Sequence, residues 1–170
     1  MNPIRPTAAK LTAVFCLGLA AMSASAFELR GFRGVSWGEG VEALGAVTVS
    51  HSEGEVTCYQ RDRENLLFGD TPLNGVRYCF HQDRLFLVAI DAAANAKTLT
   101  TEFQRTYGRP STQRGQAASW GAKGSGSRAE LAASGATARL VIYSNTIEPT
   151  LAQRLQKLGP VEVTRSVAAF

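Results

Sequence analysis

The stretch Arg84–Ile90 (RLFLVAI) constrains the fold more than any other part of this chain. In an extended strand, Leu85, Leu87 and Ala89 fall on one side, and Phe86, Val88 and Ile90 on the other. A strand that is apolar on both faces needs a covering layer on each, which places it in the middle of a sheet. Just before it, Val76, Tyr78 and Phe80 alternate with Arg77 and Cys79, a period of two. His81-Gln82-Asp83 is the polar link between the two runs, a hairpin turn.

The rest of the chain supplies elements to cover that strand. Ser36-x-x-Glu39 has capping-box spacing ahead of a short helix through Val41 and Leu44, stopped at Gly45. Val56–Arg61 and Asn65–Phe68 read as strands, with Gly69–Pro72 and Asn74-Gly75 as turns. Asn95 caps a helix running to Tyr107, where Leu99, Phe103 and Tyr107 form one apolar stripe. Gly108 and Pro110 end that helix. Strands follow near 112–120, 127–133 and 138–144. Pro149 then opens a last helix with Leu151, Leu155 and Leu158 on its buried face, and 161–170 forms a tail. Strands come in runs rather than alternating with helices. The expected class is therefore α+β, with antiparallel sheet and about three helices. The order leaves room for two helix-plus-strands units.

The first 26 residues have a different purpose. Arg5 and Lys10 precede the apolar run Leu11–Ala21, and Ala24-Ser25-Ala26 ends the segment. This is the pattern of a Sec-type export signal cut before Phe27. The run is too short to span a bilayer, so no transmembrane segment is expected after cleavage. Residues 27–170 then form one exported domain, in the periplasm or secreted. Of the +4 net charge, Arg5 and Lys10 leave with the signal, so the mature balance is +2. That is too little to argue for nucleic acid as a partner. Two of the three cysteines remain, Cys58 and Cys79. An even pair in an oxidising compartment reads as a disulfide, and their spacing is too wide for a C-x-x-C metal knuckle.

Three segments occur in an order with its own resemblance: Phe32-Arg33-Gly34-Val35-Ser36-Trp37-Gly38; Val76-Arg77-Tyr78-Cys79-Phe80 with Arg84–Val88; and Tyr107-Gly108-Arg109-Pro110 with Trp120-Gly121. The pattern resembles a group of small exported bacterial proteins of unknown function. That group has no established activity or catalytic residues, so the resemblance transfers no function. At the level of layout, the chain is also similar to helix-plus-hairpin lipoproteins of outer-membrane assembly and to some periplasmic enzyme inhibitors. One fold hosts many functions, so the layout assigns none.

The residues name no activity. His51 and His81 are isolated and lack metal-site spacing, and their plain reading is solvated surface histidine. There is no G-x-S-x-G elbow or S-x-x-K, and a disulfide would remove the cysteine nucleophile. No catalytic set, metal site or cofactor is expected. Glu39 with Glu42, and Glu53 with Glu55, are carboxylate pairs of a kind common on solvated faces. Arg33, Trp37 and Arg61 have the residue types of an interface. A self-paired charged edge is the plainer reading of the arginines, and a core position that of the tryptophan. The expected function is a non-enzymatic binding or accessory module, meeting an unknown protein or envelope component. A small envelope hydrolase with dispersed carboxylates is the first alternative. An inhibitor of a secreted or envelope enzyme, presenting a loop at 121–126 or 69–75, is the second.

Overall fold

The structure, a computed structural model, describes residues 27–92, 94, 96–122, 124–134 and 136–157. The export signal, the Asn95 cap and the 161–170 tail lie outside the described residues. Eleven strands are described: β1 (Gly31–Phe32), β2 (Val35–Ser36), β3 (Val47–Glu53), β4 (Val56–Arg61), β5 (Leu67–Phe68), β6 (Thr71–His81), β7 (Arg84–Ala92), β8 (Thr112–Arg114), β9 (Ala117–Trp120), β10 (Ser127–Ser134) and β11 (Thr137–Ser144). Two α-helices are described, α1 (Ala96–Tyr107) and α2 (Pro149–Lys157).

One antiparallel sheet dominates, in the order β3-β4-β6-β7-β11-β10-β9-β8, with β5 paired to the start of β6. It consists of two meanders that meet where β7 pairs with β11. The α+β expectation with three helices is overturned. Strands make up about half of the described residues, and the architecture is closer to all-β. The first expected helix is only a four-residue 3-10 turn, Val41–Leu44. Gly40 stands at its N-cap with no side-chain cap, and Gly45 stops it at once. A single unsupported turn cannot recover the cost of helix nucleation. Helix-plus-strands units therefore do not describe the first meander.

β7 is central, as its composition requires, and every residue from Leu85 to Ile90 is buried. Its facing is not a plain alternation. The β6–β7 register shifts between Cys79 paired with Leu87 and Phe80 paired with Leu85. This bulge puts Phe86 and Leu87 on the same side, with Ala89. Leu85, Val88 and Ile90 take the other. One inserted residue reverses the facing of everything before it, which a sequence read at constant period two cannot show. A second shift, between Leu73 and Gly75, absorbs the expected Asn74-Gly75 turn into β6. Gly75 faces Gln60, and a Cβ there would meet the Gln60 amide at 3.1 Å.

The first face carries the larger core. α1 lies on it through Leu99 and Phe103, both fully buried, with Tyr107 partly buried beside them. Trp120 meets Phe103 edge-on at 4.6 Å and donates its indole N–H to Gly108 O at 2.9 Å. Gly108 adopts φ 85° and its N–H reaches Gln104 O at 2.8 Å, closing the helix as its position in the sequence predicts. The β1–β2 hairpin packs on the same face through Phe32 and Val35. Backbone bonds between Gly38 and Leu85, and between Leu85 and Glu39, tie this N-terminal segment to β7.

The second face has a smaller core: Val56, Cys58, Cys79, Phe86, Leu87, Ala89, Val141 and Tyr143. Among the described residues α2 is the helix that covers it, through Leu151 and Ala152, with Ile147 just before. The side chain of Leu155, and Leu158, lie outside the described residues. The expected disulfide is present: Cys58 and Cys79 are direct cross-strand partners on β4 and β6, with Cα atoms 4.0 Å apart. No described helix is long and apolar enough to cross a membrane.

Candidate functional site

Beyond α2, the second face opens over β7, β11, β10, β9 and β8. Alternation along each strand decides what it presents. β11 is the clearest case: Ala138, Leu140 and Ile142 enter the first core, so Arg139, Val141 and Tyr143 must face the other way. On β10, Ala129 and Leu131 are buried below, leaving Arg128, Glu130 and Ala132 above. Ala118 and Trp120 of β9 point down, so Ala117 and Ser119 point up.

The centre of this face is a charge network assembled from three strands. Asp91 accepts from Arg77 Nη2 at 2.8 Å through one carboxylate oxygen. Its other oxygen accepts from Arg139 Nε at 2.6 Å. Arg139 and Asp91 are direct cross-strand partners, and Arg77 reaches over diagonally from β6. Both guanidinium groups are mostly buried, at 11% and 17% exposure. Arg77 and Arg139 thus share one carboxylate. Beside it, Glu130 is met by Arg128 at 3.4 Å and accepts the Tyr143 hydroxyl at 2.9 Å.

A shallow groove of about 370 Å³ runs from this network to the sheet edge. Ala117 and Ala132 form its floor, and Arg139 and Glu130 line its inner side. At the outer side stand Arg114 and the paired hydroxyls of Thr112 and Ser119, 2.7 Å apart. Arg114 is exposed and has no ion-pair partner among the described residues. The whole segment 108–144 is cationic. It carries Arg109, Arg114, Lys123, Arg128 and Arg139 against Glu130 alone, a net +4. Residues 27–107 carry eight Lys and Arg against eleven Asp and Glu, a net −3. Charge of one sign is thus gathered on the second meander.

Arg33, Trp37 and Arg61 stand on the other side of the molecule and do not form one patch. Arg33 ion-pairs with Glu64 and donates to the carbonyls of Asn65 and Leu67. Glu64 also accepts the buried Tyr78 hydroxyl at 3.0 Å. Arg61 lies 5.0 Å over the Tyr78 ring and donates to Arg33 O. These two arginines are therefore brought together, as clamps that hold the β1–β2 hairpin to the sheet. Trp37 is half-buried away from them and donates its indole N–H to Leu29 O. Removing the Arg33 partner from a mostly buried Glu64 should cost about 1–3 kcal/mol, since Arg33 keeps some solvent. Urea titration of Arg33→Ala measures this, and a loss below ~0.5 kcal/mol would show that the clamp is solvated.

Other expected features also find places. His81 is largely covered rather than solvated, at 13% exposure, with Glu55 at 2.9 Å on one ring nitrogen and Glu148 at 3.2 Å on the other. His51 lies 3.5 Å from Glu53. Glu39 accepts the Ser36 N–H at 2.7 Å, so that carboxylate closes a turn. In the loop at 121–126, the described residues Ser125 and Gly126 are tied down by hydrogen bonds. Ser125 Oγ donates to Ser127 O, and Asn145 holds both Ser125 O and Gly126 O. Of 69–75, only Gly69 and Asp70 turn, and Thr71 begins β6. Among the described residues no cluster of three or more His, Cys, Asp or Glu could hold a metal ion.

Three phenols are held away from ionisation. Burial, then the Glu130 hydrogen bond, pushes Tyr143 up to about 12. Burial, then the charge of Glu64, raises Tyr78 further, and burial raises Tyr107. An unfolded phenol ionises near 10. With the folded value above the unfolded one, this contribution to stability is complete below pH ~10 and is lost as pH rises toward 12. Absorbance at 295 nm should therefore show Tyr78, Tyr107 and Tyr143 ionising only with alkaline unfolding. Titration of these three phenols near pH ~10 in the folded state would contradict the burial.

No family model, curated protein or solved structure matches this chain.

Proposed function

We propose that this protein is an exported, non-enzymatic contact module of the cell envelope, and that the open face over β8–β11 is where its partner sits. The observation that carries the reading is the second meander itself. A sheet face with an alanine floor, flanking arginines and a net positive charge lies beside the only described helix on that side. Arginine with small or apolar neighbours is suited to contact, since its planar fork binds carboxylates in two places while the floor lets a partner approach closely. The groove is broad and shallow, the shape of a contact surface rather than of an enclosed small-molecule site. The export pattern of residues 1–26 and the Cys58–Cys79 disulfide support an oxidising compartment outside the cytoplasm.

A photo-crosslinking residue placed at Ala132, in the groove floor, should give discrete adducts in cells. The same residue at Lys97, exposed on α1 and on the opposite side of the sheet, should give none. Adducts from Lys97 alone would move the contact surface to the other face. Turnover of an envelope substrate abolished by one Asp or Glu substitution would replace the reading with a hydrolase.

A further inference from the structure

Resting on that reading, we infer that the groove across β8–β11 takes an extended acidic peptide segment of a partner protein. Two of its carboxylates, four residues apart, would be received by Arg114 and Arg139. The spacing comes from the sheet. Arg114 stands on β8 and Arg139 on β11, three strand spacings apart, or about 14 Å. Ala117 and Ala132, on the two strands between, are too small to obstruct a chain laid over them. An extended peptide advances about 13 Å in four residues and returns its side chains to the same side at even steps. Residues i and i+4 of a crossing strand therefore match the two arginines in both distance and facing.

Charge separates this occupant from other anions. Glu130 lines the groove between the two arginines. It would repel an unbroken row of negative charge, such as a polyphosphate or the surface of an anionic bilayer. A peptide with neutral residues between its two carboxylates avoids that repulsion. The same intervening residues would lie on the alanine floor, with their backbone amides near the Thr112 and Ser119 hydroxyls. Arg114 is free to turn toward a carboxylate. Arg139 is already oriented by Asp91, so its guanidinium is held in place before any ligand arrives.

The test uses the purified protein and a labelled nine-residue peptide with glutamates at its third and seventh positions and alanine, valine and threonine elsewhere. Fluorescence anisotropy should show saturable binding that salt weakens. The peptide with glutamine at both positions, and the isomer with its two glutamates adjacent, should each bind at least tenfold more weakly. Arg114→Gln, an exposed change outside any described ion pair, should cost about tenfold in affinity while leaving the melting temperature unchanged. Amide shifts on titration should concentrate in β8 to β11. Equal binding of the glutamine peptide, or no effect of Arg114→Gln, would overturn the inference. So would polyphosphate or phosphatidylglycerol vesicles binding as well and shifting the same amides. Failure here with Ala132 adducts retained would leave the contact face standing and remove only the acidic peptide. Loss of both would remove the face itself.

Discussion

Phe103→Ala is expected to lower unfolding stability by about 3–5 kcal/mol, the range for deleting a buried aromatic ring. Phe103 is fully buried at the centre of α1. Its ring meets Tyr107 at 4.5 Å, Trp120 at 4.6 Å, Phe68 at 5.8 Å and Phe27 at 6.1 Å. Those four partners come from α1 itself, β9, β5 and the N-terminal segment, so a single side chain joins four parts of the chain. The cavity left behind could close only by moving several of them, and close-packed interiors resist such movement. A guanidinium titration should show a lower midpoint at an unchanged slope. A loss under ~1 kcal/mol would mean that α1 does not dock on the sheet through this stripe.

The docking of α1 was legible in the sequence because a helix reports its buried face locally, through the spacing of Leu99, Phe103 and Tyr107. The central strand was legible for a similar reason: six successive buried residues leave few alternatives. Much of the remainder depended on register, which is a relation between strands. A constant period of two groups Leu87 with Leu85, yet it faces the other way, because the bulge opposite Cys79 and Phe80 is a property of the β6–β7 pair. The first helix failed for want of length. Its sequence has the capping and stop signals, but four residues between Gly40 and Gly45 leave no room for a stable α-helix.

The candidate site shows the same division. Arg77 and Arg139 are lone charges in otherwise apolar strands, and Asp91 shares β7 only with Arg84 at its other end. Nothing in their local sequence says that they converge. The available signal was a charged residue at a face position of an otherwise buried strand, as in Arg139 among Ala138, Leu140, Val141 and Ile142. Such a charge must find a partner in the sheet or stay near water. Arg33, with Phe32 and Trp37 nearby, has the residue types of an interface, while self-pairing is its plainer reading. The acceptors it uses, Glu64, Asn65 and Leu67, lie about thirty residues away.

Replacing both disulfide cysteines, Cys58→Ala with Cys79→Ala, is expected to cost about 3 kcal/mol in the chain-entropy account of a bridge closing a loop of this size. The bridge spans a sequence separation of 21 residues, from β4 through β5 to β6. That loop contains Glu64, Asn65, Leu67 and Phe68, the groups that hold Arg33 and pack against α1. Without the bridge the unfolded chain regains freedom across the segment that anchors the N-terminal hairpin. Alanine is the appropriate replacement, because both cysteines are 4% exposed and serine would bury two hydroxyls. The native ladder should survive, since Val56 to Tyr59 pair with His81 to Tyr78 through the backbone on both sides of the bridge. The double variant should therefore fold to the same secondary structure by circular dichroism and melt well below the parent. If it melts within 2 °C of the parent, the β4–β6 register alone restrains this segment and the disulfide contributes little to holding the fold.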